Sequence, residues 1–169
     1  MASDTSMFSH APIERDRDQF LRELLRELSG VLEESVGLEA AEGFIARVGG
    51  RIGEMMNEEY LQIAGTKSLN VRQIADALVD LKLRIGGGFS IESLGEDNIV
   101  LVNTVCPFGQ YVEGRESLCM MTSNVFGRIA ANNVSYARVE LQETIAKGDN
   151  GCRVVIHFIE GETGREYFG

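Results

Sequence analysis

Three cysteines are the residues of this sequence best suited to chemistry. Cys106 and Cys119 bracket the run CPFGQYVEGRESLC, and Cys152 follows in KGDNGCRVVIHF. Thiolates are the ligand form for zinc and for iron–sulfur clusters. Cys119 falls in the first turn of a predicted helix, where unpaired backbone N–H groups favour the thiolate. Three sulfurs need a fourth ligand, and His157, Glu143, solvent or a small molecule are the candidates. The spacing lacks a CxxC pair, the strong signature of a metal knuckle. Free cysteine also behaves as a small buried hydrophobe. Three readings of the thiols therefore stand: a metal or cluster site, a redox switch, or core residues.

Other chemistry is sparse. The sequence holds two histidines, His10 and His157, and no Ser/His/Asp set. General-base catalysis would rest on His157 or a carboxylate, with no spacing that builds an active site around either. The expectation is a protein that is not an enzyme. GGG at Gly86–Gly88 lacks the strand-loop-helix context of a phosphate loop. GDNG at Gly148–Gly151 has too few spaced carboxylates for calcium and reads as a hairpin turn. Phe108, Met120, Met121 and Phe126 are the candidate lining of a ligand pocket.

The elements that must position these groups are legible in the periodicity. Residues 1–12 are polar and aperiodic, and read as a tail. Phe20, Leu21, Leu24, Leu25, Leu28, Val31 and Leu32 recur at helical spacing up to Gly37. This leucine-rich stripe packs a core or joins two copies as a dimer. A second helix is expected over 38–63, with Ala41, Ile45, Val48, Ile52, Met55, Met56 and Tyr60 on one face. Its glycines 43, 49, 50 and 53 weaken it, and imply close approach of another backbone or a kink. A third helix, 71–85, has Ile74, Ala75, Leu78, Leu81 and Ile85 on its apolar side and Asp76, Asp80, Lys82 and Arg84 toward solvent. Beyond it, Phe89 and Ile91 alternate with polar residues, GEDN turns the chain, and Ile99, Leu101 and Asn103 return. SLCMMTSNVFGRIAANN is helical, with Ser117 as its candidate cap. YARVELQETI and CRVVIHFIE form a second hairpin. The class is α+β: N-terminal helices, then an antiparallel sheet of two hairpins with an intervening helix packed on it. The chain divides into a tail (1–12), N-terminal helices suited to dimerisation (13–65) and an α+β sensor domain (66–169).

Composition excludes several function classes. The net charge is -10, which disfavours duplex nucleic acid and anionic membrane surfaces. The N-terminus lacks the pattern of a secretory leader, and no apolar run reaches transmembrane length. An odd number of cysteines with no secreted framework fits a reducing cytoplasm.

The run CPFG…GRESLCMMTSNVFGRIAANN…YARVELQETIAKGDNGCRVVIHF resembles the methanogen output domain family. It is also similar to ligand-binding domains of the four-vinyl-reductase type. The resemblance covers roughly residues 74–159. It implies a sensory or regulatory domain that signals through a protein partner or a homodimer rearrangement. By analogy with the sensor half of certain iron–sulfur-dependent repressors, Cys106, Cys119 and Cys152 would hold a cluster or zinc. Those repressors carry a DNA-binding domain, and none is visible here.

Overall fold

The computed structural model describes residues 15–169, so the tail expected at 1–12 lies outside the described residues. Helix α1, Arg17–Val36, starts where the Asp16 carboxylate accepts the N–H of Gln19 at 2.8 Å. Gly37, at a φ of 82°, breaks the chain before α2, Leu38–Ala64. Helix α3, Val71–Arg84, opens on a capping box in which Asn70 and Gln73 satisfy each other's backbone N–H.

The sheet is wholly antiparallel, in the spatial order β1-β2-β4-β3-β5. Its strands are β1 (Ser90–Leu94), β2 (Asn98–Asn103), β3 (Tyr136–Glu143), β4 (Cys152–His157) and β5 (Arg165–Phe168). Helix α4, Cys119–Val134, connects the two hairpins and lies on the sheet. The fold is thus α+β, with helices against one face of the sheet. Ile99, Leu101, Val139, Val154 and Ile156 meet Ile74, Leu78, Phe126 and Ile129 in the main core.

Several expectations are corrected. The 38–63 stripe is the contact face of α2 only in part: Ala41 is buried and Ile52, Met56 and Tyr60 pack on the core, but Val48 and Met55 are exposed, and the line of closest approach runs through Ala46, Gly49, Gly53 and Asn57. A Cβ on Gly49 or Gly53 would stand 2.9 Å from the Cβ of Asn124 or Arg128, so the glycines let α2 lie directly on α4. Ser117 does not cap α4. The helix continues from a 3-10 turn, Glu116–Leu118, and the Ser117 hydroxyl donates to Glu33 of α1 at 2.5 Å. Ile145 leaves the strand pattern for a 3-10 turn, Ile145–Lys147. Strand β5 was not foreseen, because REYF is short and follows a glycine-rich loop. Its Tyr167 is buried and shares a 2.8 Å hydrogen bond with Ser123.

Candidate functional site

The three cysteines come from three different element ends. Cys106 lies in the loop just past β2, Cys119 is the first residue of α4, and Cys152 is the first residue of β4. All three are free, half-buried and line one cavity of about 30 Å³. That volume suits one or two waters or a single ion.

Local sequence explains the convergence. Asn103 faces Cys152 in the β2–β4 register, and its side-chain oxygen accepts the Cys152 N–H at 3.0 Å. Its amide then donates to the carbonyl of Val105 at 2.8 Å, fixing the approach of the Cys106 loop. Pro107 packs so close to Gly87 that a Cβ there would stand 2.8 Å from the proline ring. At the other end, the Asp149 carboxylate accepts the Thr144 N–H at 2.8 Å, and Gly148 takes a φ of 97°. A Cβ on Gly151 would collide with the Asn103 carbonyl. The GDNG turn is therefore a clamp that seats Thr144 and Cys152 beside Asn103.

One buried cation lies behind the cavity wall, on the side of a second cavity enclosed by the helices. Lys82 is only 5% exposed, although its charge suggested the solvent side of α3. Its position corrects that expectation: Ile74, Leu78 and Lys82 follow one another at four-residue steps on the inward stripe. The Lys82 ammonium donates to Thr122 Oγ1 at 2.7 Å and stands 5.3 Å and 5.7 Å from the ring centres of Phe126 and Phe89. Thr122 and Phe89 both line the cavity. Burial pulls the lysine down to about 8; Cys106, Cys152 and Cys119 would oppose that pull only when ionised.

The thiols are protonated at neutral pH. Burial raises Cys106 and Cys152, and raises Cys119 to about 12, with the two other thiols adding to the last shift. The helix-start effect expected at Cys119 is outweighed. The preceding 3-10 turn already supplies carbonyl partners for its N–H, so the residue does not sit at a bare helix end. The Thr144 hydroxyl, also on the cavity wall, is buried, and the group it meets is the Cys119 thiol, which it pulls down against the effect of burial.

The other candidates scatter. His157 ends β4, the opposite end from Cys152, and its Nε2 lies 3.2 Å from Glu140. It does not line the cavity and is removed from the ligand set by the length of the strand. Glu143 is exposed at the end of β3 and does not line the cavity either. Phe108 does line it, together with Leu118. Phe126 is wholly buried beneath Lys82, Met121 borders a second cavity, and Met120 meets Arg165 at 3.8 Å. As the side chains stand, no group of three Cys, His, Asp or Glu among the described residues is poised to hold a metal ion.

The second cavity is an apolar groove of about 590 Å³ enclosed by the four helices. Leu25, Leu28, Leu32, Ile52, Leu81 and Val125 line it, and Phe108 and Leu118 form a wall common to both cavities. Sequence reasoning missed Lys82, Thr122 and Thr144. The four-residue step from Leu78 was the signal for Lys82, and the two threonines gave none.

A family model described as Methanogen output domain 1 matches residues 24–157. No curated protein matches the chain. Among solved structures, the crystal structure of a trafficking protein particle complex subunit 3 from Naegleria fowleri, covalently bound to palmitic acid, is similar in fold. It has a TM-score of 0.58 and 14% identity, covering 84% of this chain and 97% of that chain.

Proposed function

Because the chain belongs to the methanogen output domain 1 family, we propose that it is a cytoplasmic regulatory domain whose input site is the three-thiol cavity. The convergence of Cys106, Cys119 and Cys152 on one cavity carries this reading. The group taken up is thiophilic: an iron–sulfur cluster or zinc. The fit is partial. Three thiols are a suitable donor set, but the sulfurs must move closer together to share one ion. When bound, such a group would supply a redox- or metal-sensitive state held by sulfur.

The signal passes by binding, with no turnover, through the loop between Cys106 and Cys119. Arg26 of α1 donates to the carbonyls of Tyr111 and Glu113 at 2.8 Å and 2.7 Å, and Glu33 accepts from Ser117. A movement of either cysteine therefore pulls on α1. Phe20, Leu24, Leu28 and Val31 of α1 are exposed, and offer the face for a second copy or a protein partner. No helix of the described residues is long and apolar enough to cross a membrane.

A second reading places a small apolar ligand in the groove. Its support is the apolar lining and the volume, which lies in the usual range for ligand pockets. The solved structure of similar fold carries palmitic acid.

One experiment separates the two. Protein purified without oxygen is assayed for iron, acid-labile sulfide, zinc and extractable organic ligand. The first reading expects stoichiometric metal that is lost in Cys106→Ser, Cys119→Ser and Cys152→Ser. Full metal content in all three variants overturns it. Metal-free protein that carries a lipid-like molecule would move the input site to the groove.

A further inference from the structure

The groove between the helices is aliphatic with two exceptions, Ser29 and Lys82. The Ser29 hydroxyl is spent on the Arg26 carbonyl at 2.9 Å. Lys82 is the one ionisable residue of the lining. Among the described residues, no carboxylate lies within ion-pair distance of it. An ammonium carries three N–H donors, and this one spends one of them, on Thr122 at 2.7 Å. A buried ammonium is costly unless an anion compensates it. A methionine would fill the same place without that penalty, so the charge itself needs a partner.

The groove is long as well as apolar. Its α2 wall runs from Ile45 to Met56, roughly 16 Å of helix at about 1.5 Å per residue. Leu28, Val48 and Ile85 belong to the lining and are exposed, so the groove opens to solvent and a ligand enters without unfolding the core.

We infer that the groove takes an unbranched aliphatic carboxylate, its chain along the α1 and α2 walls and its head paired with Lys82. This deepens the reading of the groove as a ligand site and rests on it; the thiol cavity plays no part. Charge decides the class of head. One ammonium balances one carboxylate. A phosphate monoester, with about 1.5 to 2 negative charges at neutral pH, would leave charge unbalanced beside a single cation. An uncharged alcohol would leave the ammonium uncompensated. Lys82 is thus the residue that sets head-group specificity.

The test uses the full chain and two probes of equal length, decanoate and decanol, each displacing the uncharged dye N-phenylnaphthylamine. Lys82→Met is expected to lower the decanoate-to-decanol affinity ratio at least tenfold, with decanol unchanged or tighter. Lys82→Arg, which keeps the charge, is expected to restore the ratio. Lys82→Gln serves as the neutral variant if Lys82→Met does not fold, as judged by circular dichroism. An unchanged ratio in the neutral variant overturns the head-group role and leaves the groove reading standing. Hexanoate should bind at least tenfold more weakly than decanoate, because each buried methylene contributes; equal affinity overturns the placement of the chain. The sequence holds no tryptophan, so Val48→Trp puts a single reporter in the lining. Its emission should move to shorter wavelength with decanoate, and decanoate binding without that shift places the ligand elsewhere and overturns the inference. Wild-type protein that binds neither decanoate nor decanol overturns the groove reading, and the inference with it.

Discussion

The two faces of α3 treat charge in opposite ways. On the outer face, Asp80 accepts from Arg84 at 2.7 Å and from the Tyr60 hydroxyl at 2.7 Å. Two residues away, on the inner face, Lys82 has only a hydroxyl and two aromatic rings. The outer charges are paired, hydrated and interchangeable with other surface pairs. The inner charge is buried and has no carboxylate partner. The cost of burying a charge therefore falls on the inner face alone.

The largest effect is expected from removing the floor under Lys82. Phe126 is fully buried and meets Phe89 edge-on at 5.6 Å. Phe126→Ala should cost about 3–5 kcal/mol of stability, read as a lower urea midpoint. A loss below 1 kcal/mol would mean that the core beneath the cavity is loosely packed.

Next in size is the penalty carried by Lys82 itself. Its folded value of about 8 stands below the ordinary 10.5. The folded chain therefore holds fewer protons than the unfolded chain between these values. The lysine destabilises the ligand-free fold fully below about pH 8, and the penalty fades as pH rises toward 10.5. Lys82→Met should then make the ligand-free protein more stable at pH 7, by on the order of 3 kcal/mol. The difference should shrink across pH 8–10.5 in thermal melts. A destabilised variant at pH 7 would show that the ammonium already has a partner and would erase the contrast between the two faces.

The smallest effect belongs to the outer face. Arg84 and Tyr60 hold Asp80 below its ordinary value, so this contribution is present at neutral pH and is lost as pH falls through the folded value. Asp80→Asn should leave the melting temperature at pH 7 and high salt nearly unchanged. A large drop would give the outer face a structural weight equal to the inner one.

Legibility followed the range of the interactions. The glycines of α2 announced close approach, and the structure puts Gly49 and Gly53 against α4. The apolar stripe of the same helix held at Ala41, Ile52, Met56 and Tyr60 and failed at Val48 and Met55, which answer to the groove side and solvent. The GDNG turn was read as a turn. Its clamp on Thr144 depends on a side-chain contact that no spacing rule reports. His157 and Cys152 share one strand, so sequence proximity made them look like co-ligands. A strand rises about 3.3 Å per residue, which carries the two to opposite ends of β4.

By itself the sequence determined the order of the four helices and the first four strands, the α+β class and the breaks at Gly37 and Gly148. These depend on periodicity and on backbone preferences within a few residues. Only the tertiary structure decided that Cys106, Cys119 and Cys152 share a cavity, that His157 does not, and that Lys82 faces inward. Those outcomes depend on strand order and on helix-to-sheet packing between segments far apart in the chain, where a residue's own type no longer fixes its surroundings.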